Sequence, residues 1–108
     1  MPSPTDLVVD SKGSIFFLEA ATDVLMKISA RSTTPAIVAG NPQRGFSGDE
    51  VPAFEAALSG PSGLAIDSDG NLFIADIRNN RVRRVDARTK MIRTIAGNGL
   101  PNIIHGEL

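Results

Sequence analysis

Apolar residues along this chain come in short runs, each closed by a turn-forming residue. Leu7–Asp10 reads LVVD and ends at Ser11-Lys12-Gly13; Ser14–Glu19, SIFFLE, follows at once. Two β-rich runs across a glycine-containing loop predict a hairpin. The same grammar returns at Leu64–Asp67 (LAID), the turn Ser68-Asp69-Gly70-Asn71, and Leu72–Asp76 (LFIAD). There Asp-Gly supplies the positive backbone angle of a tight turn, since glycine has no Cβ to clash. A third strand is predicted at Val24–Ser29 and again at Arg81–Asp86, and a fourth at Ala36–Ala39 and Ile92–Ala96, each closed by Gly-Asn.

These two series are copies of one unit. Pro61–Asn98 moved back by 57 positions falls on Pro4–Asn41 without a gap, and eleven of the 38 aligned pairs are identical. Self-similarity at a fixed period marks a repeat architecture. The linking segment, Pro42–Gly60, begins glycine-rich and then changes character. Asp49 or Ser47 suits a cap, Pro52 suits a first turn, and Val51, Phe54 and Leu58 recur at helical spacing, so a short helix is expected near 52–58. Phe16, Phe17, Phe54 and Phe73 are core candidates and Phe46 a loop anchor. The organisation expected is a first unit at 4–41, a connector at 42–60, a second unit at 61–98 and an irregular tail at 99–108.

Composition narrows the function classes. The chain has 108 residues, a formal net charge of −1 and no cysteine, which leaves no disulfide framework and no thiolate chemistry. No apolar run approaches the roughly 18 residues of a membrane span, and the first residues lack the basic region and apolar stretch of a secretory signal. Residues 1–60 carry a net −3 and residues 61–108 a net +2, so the basic excess lies in the second copy.

That excess, Arg78, Arg81, Arg83, Arg84, Arg88, Lys90 and Arg93, is the one pattern that invites a nucleic-acid reading, with Arg83, Arg84 and Arg88 as its basic surface. The two-residue strand period opposes it by sending Arg81 and Arg83 to one face and Arg84 to the other. No Trp or Tyr is present to stack on bases. Asp76 and Arg81 are placed to form a structural ion pair across the turn between strands. Asp67-Ser68-Asp69-Gly70-Asn71 resembles a calcium loop only superficially, because its glycine is fourth and Arg78 stands twelfth; a hairpin turn is expected instead. The only histidine, His105, lies in the tail, so neither a Ser-His-Asp arrangement within the strands nor a multi-histidine metal site is available in this chain. Asp6, Asp10, Glu19, Asp67 and Asp76 lie near strand ends and are read as turn residues. No catalytic, cofactor-binding or metal-binding residue is assigned, and no cofactor is expected.

The residues from Gly60 to Asp86, with Ala75-Asp76, Asn79-Asn80-Arg81-Val82 and the closing Ile95-Ala96-Gly97, resemble an NHL repeat of the bacterial type. The connector GFSGDEVPAFEAALSGP is similar to the segment between blades in such proteins. The first copy departs from the pattern, with Ala20-Ala21-Thr22-Asp23-Val24 where the Asn-Arg motif stands in the second. The resemblance implies an all-β fold of two four-stranded antiparallel β-propeller blades. It also implies partners: propellers hold four to eight blades, so two require others, either in a longer chain or from further copies, three of which would make six blades. The function implied is a non-catalytic scaffold for a protein or carbohydrate ligand. The alternatives are a share in a lactonase- or lyase-like propeller enzyme, or an RNA-binding surface.

Overall fold

The computed structural model describes residues 4–19, 22–40, 50–58, 60–76 and 80–97. The first sheet is formed by β1 (Pro4–Val9), β2 (Ile15–Glu19), β3 (Val24–Ile28) and β4 (Ala36–Ala39), antiparallel and in chain order. The second contains β6 (Pro61–Ile66), β7 (Leu72–Asp76), β8 (Arg81–Val85) and β9 (Met91–Ala96), with the two-residue β5 (Val51–Pro52) added beside β9. Tight turns between adjacent strands leave antiparallel neighbours as the only reachable pairing.

Each sheet has two faces, and the repeat makes them comparable position by position. Phe16 and Leu18 lie on what we term the forward face of the first sheet, with Leu25 and Ala39 beside them. Leu64, Leu72, Ile74, Val85 and Ile92 lie on the reverse face of the second. These two faces meet, and with Ala53, Ala56 and Leu58 of the connector they form one core. On the second sheet, Ile66, Leu72, Val85, Ile92 and Val51 run as one apolar row across all five strands. A fully buried aliphatic side chain is worth about 1.5–3 kcal/mol relative to exposure. Leu18, Leu25, Ile74 and Ile92, all buried completely, therefore place the energetic centre between the sheets.

Two further links fasten the pair. At the first strands, the Asp6 carboxylate accepts from the Leu7 N–H at 2.9 Å and, across the gap, from the Leu64 N–H at 2.8 Å. At the last strands, the Ala53 N–H donates to the Lys90 carbonyl at 2.9 Å while the Ala53 carbonyl accepts from the Gly40 N–H at 3.2 Å. Asp6 is therefore a clamp between blades rather than a turn residue.

The connector corrects the expected helix at 52–58. Only a single 3₁₀ turn forms, Ala53–Glu55, and Ala56 is already extended (φ −84°, ψ 143°). The reason is competition for backbone groups. Val51 and Pro52 pair with Ile92 and Met91, and Ala53 spends its N–H and carbonyl on the two sheets. Its apolar residues do not share a face: Ala53 and Leu58 are buried while Phe54, expected in the core, is 58% exposed. Ser47, Asp49, Phe46 and the tail 99–108 lie outside the described residues.

The chain ends of the strands repeat one backbone contact. Asp23 and Asn80, 57 residues apart, both hold positive φ (57° and 52°) immediately before β3 and β8. Short polar side chains tolerate that conformation. Gly40 and Gly97, with φ of 110° and 85°, pack on these same residues. A Cβ on Gly40 would lie 2.9 Å from the Asp23 carbonyl oxygen, and one on Gly97 would collide with the Asn80 carbonyl oxygen. The first copy thus keeps the geometry of the Asn-Arg motif by substituting Asp23.

A buried ion pair sits at one end of the core. Arg83 Nη1 lies 3.5 Å from Asp76 Oδ2, both side chains fully buried. Arg81 stands directly opposite Asp76 in the β7–β8 register, and Arg83 is its diagonal neighbour on the same face. Arg83 is therefore removed from the basic surface read from the sequence. An arginine is sequestered here because the reverse face is the one pressed against the neighbouring blade. In the first sheet the two positions are Glu19 and Met26, so this charge pair belongs to the second blade alone.

The hairpin turns use carboxylates as backbone acceptors. Asp10 Oδ1 accepts from the Lys12 and Ser14 N–H groups, and Asp67 Oδ1 from those of Asp69 and Asn71, all between 2.9 and 3.0 Å. Asp86 Oδ1 does the same for Arg88 and Thr89. The Asn71 side chain holds the Asp67 carboxyl below its ordinary value, and the Thr89 and Arg88 N–H groups do so for Asp86.

Three outcomes are expected. Gly97→Ala should lower stability by about 1–3 kcal/mol through backbone strain, and by more where the collision is not relieved; Gly40→Ala should cost less, as thermal melts would report. Asp76→Ala should cost about 3–5 kcal/mol by breaking a buried ion pair, and the Asp76→Leu/Arg83→Met double variant should lose less than the two single variants together. Because the carboxyls of Asp67 and Asp86 are depressed in the fold, their contribution is complete above the unfolded value of 3.8 and is lost as pH falls below it through the folded values. Asp67→Asn and Asp86→Asn should accordingly flatten the acid limb of the melting-temperature profile.

Candidate functional site

The β1–β2, β6–β7 and β8–β9 turns lie at one end of the molecule and border a groove between the blades. Its apolar lobe, about 250 Å³, is lined by Phe16, Val38, Phe54, Leu72 and Val85, among others. Its polar lobe, about 300 Å³, includes Asp10, Lys12, Ser14, Asp67 and Asp69. Phe16, Lys27, Gly70, Ala87 and Lys90 border both lobes, which makes the two continuous. Strand alternation explains the floor: Phe16, Leu72 and Val85 are on the two faces that meet, at the row nearest the turns.

Charge at the groove is mixed. The Lys27 ammonium lies 5.5 Å from the centre of the Phe16 ring, a cation–π arrangement that lays its stem along the apolar floor. Lys90 Nζ donates to the Ala87 carbonyl at 2.6 Å, and Asn71 Oδ1 accepts from the Ala87 N–H at 2.8 Å. The carboxylates of Asp10, Asp67 and Asp86 are occupied by turn amides. An apolar trough with a rim of hydrogen-bonding groups suits recognition by contact. Among the described residues, no group of three or more His, Cys, Asp and Glu side chains converges as a metal site.

The basic residues of the second copy are divided between two faces. Arg83 is buried between the blades, while Arg84 lies on the opposite, forward face and pairs with Asp86 at 3.4 Å. Arg93 stands across from Arg84 and pairs with Glu50 at 3.4 Å, and Arg88 is exposed on the turn after β8. Arg78 and His105 lie outside the described residues. Of the acidic candidates, Asp10 and Asp67 are turn acceptors, Asp6 clamps the blades, Asp76 is in the buried ion pair and Glu19 is half-buried at the end of β2. Asp6 carried one overlooked signal: the position 57 residues on is Gly63, so a carboxylate stands where the other copy has no side chain.

Comparison with known proteins agrees with this geometry. The family model described as NHL repeat matches residues 58–85. Over 83 residues the chain is 30% identical to Protein SUPPRESSOR OF QUENCHING 1, chloroplastic, of Arabidopsis thaliana, an alignment covering 77% of this chain and 8% of that protein. It is 31% identical to Teneurin-4 of Homo sapiens, and equally to that of Mus musculus, over 106 residues covering 87% of this chain and 4% of each relative. The chain thus spans less than a tenth of the curated relatives it matches. A crystallised Bacteroides thetaiotaomicron VPI-5482 protein of unknown function superposes with a TM-score of 0.72 at 21% identity, over 85% of this chain and 23% of its own, a likeness of fold. Two copies of one antiparallel sheet packed face to face, and an NHL-repeat match that runs from the end of the connector through β8, place this chain in the NHL-repeat family.

Proposed function

We propose that this chain is a non-catalytic segment of an NHL-type propeller that serves as an interaction scaffold, with further blades as its structural partners and a protein or carbohydrate ligand at the inter-blade groove. The observation that supports this reading is the use of both faces of the sheets. The forward face of one blade packs on the reverse face of the next, and the outer reverse face of the first blade still exposes Leu7 (51%), Val9 (52%) and Ile37 (52%). Exposed apolar area of this kind marks a place where something docks. The groove beside it offers apolar depth and a hydrogen-bonding rim, the make-up of a recognition site.

The rival reading, a share in a metal-dependent propeller enzyme, would bring ligands for an ion. Dispersal of Arg83, Arg84 and Arg93 over two faces weighs against a nucleic-acid surface. A scaffold without a resident metal should melt at the same temperature before and after treatment with a strong chelator. A chelator-induced fall in melting temperature, restored by a divalent cation, would overturn the scaffold reading in favour of the enzyme.

A further inference from the structure

Both walls of the inter-blade groove belong to this chain, and its apolar lobe has a closed floor and an open side. Phe16, Leu72 and Val85, the floor, are already buried by the packing of the blades. Phe54 borders the same lobe and, at 58%, is the most exposed large apolar side chain among the described residues. It stands in a 3₁₀ turn between buried residues, Ala53 on one side and Ala56 and Ala57 on the other. Ala53 is tied to both sheets through its N–H and its carbonyl. The ring is thus presented to the groove by a fixed backbone, so little ordering is lost when something covers it.

Charge decides what that cover carries. In the polar lobe, Asp10, Asp67 and Asp69 are balanced by Lys12, Lys27 and Lys90. The charged residues lining the apolar lobe are Lys27, Lys90 and Asp86, and Asp86 is already matched by Arg84 at 3.4 Å. The local excess beside Phe54 is therefore positive. Lys90 gives one of its three ammonium donors to the Ala87 carbonyl, and Lys27 rests over the Phe16 ring. A sugar is less well served here. The Lys27 ammonium holds the Phe16 ring that a sugar would stack on, and Asp10 and Asp67 have Oδ1 committed to turn amides.

We propose that the groove takes an extended acidic peptide segment. One apolar side chain of the peptide covers Phe54 above the Phe16–Leu72–Val85 floor, and an Asp or Glu carboxylate close to it in sequence meets Lys27 and Lys90. This rests on the scaffold reading and names its ligand class. The apolar contact supplies affinity, and the two lysines, shared by both lobes, select the charge beside it.

A bead-displayed hexapeptide library of known composition, exposed to the labelled chain, tests it. The enriched peptides should carry an apolar residue within two positions of Asp or Glu, and their affinity by fluorescence anisotropy should fall as salt is raised. Phe54→Ala, Lys27→Gln and Lys90→Gln should each weaken the best peptide by about three- to tenfold in a chain that still melts cooperatively. Arg88→Gln, which removes an exposed charge from the turn after β8, should leave the affinity unchanged. Basic or neutral peptides enriched as strongly as acidic ones, affinity indifferent to Phe54→Ala and to both lysine variants, or no enrichment at all would overturn the proposal. Binding of a neutral oligosaccharide array in place of peptides, lost in Phe54→Ala, would overturn it too and leave the scaffold reading standing. A chelator-induced fall in melting temperature would remove the scaffold reading and this proposal with it.

Discussion

Everything in this molecule depends on the contact between the forward face of one sheet and the reverse face of the next. Neither sheet alone has a covered core. A four-stranded sheet carries apolar side chains on both faces here, because Phe16 and Phe17 are adjacent in sequence and must point opposite ways, yet both are buried. Within the chain, one forward and one reverse face satisfy each other through Leu18, Leu25, Leu64 and Ile74. Asp6 and Ala53 then fix the relative position of the sheets at their first and last strands, where apolar packing is least directional.

A second constraint acts inside each blade. The glycine that closes the fourth strand lies against the carbonyl of a residue in left-handed conformation before the third. Both members of this contact restrict residue type: the glycine because no Cβ fits, its partner because Asn and Asp accept positive φ more readily than most residues. The two copies reach the same solution with Asp23 and Asn80. Divergence of the surrounding motif is therefore a change of letters rather than of geometry.

Charges are arranged to serve the fold more than to advertise a surface. Asp76 and Arg83 share the buried face, Arg84 and Arg93 are each matched by a carboxylate, and Asp10, Asp67 and Asp86 hold turn amides. Lys27 and Lys90 remain at the rim of the inter-blade groove, with Lys27 lying over Phe16. The groove lies between the blades at the end that carries the β1–β2, β6–β7 and β8–β9 turns.

The order of strands, the positions of the turns and the two-blade architecture were legible in the sequence, because they rest on local rules: period-two alternation, Asp-Gly and Gly-Asn turns, and repetition at 57 residues. The split of Arg81 and Arg83 from Arg84 was legible for the same reason. Which of the two faces would be buried was not. That depends on the neighbouring sheet, and it turned Arg83 from a surface cation into half of a buried pair and Asp6 into a bridge between blades. The connector shows the same division. Val51, Phe54 and Leu58 have helical spacing, but a helix would need backbone groups that the two sheets claim first. Local pattern determined the strands; only the packing of one sheet on the other decided the fate of each charge and of the chain between them.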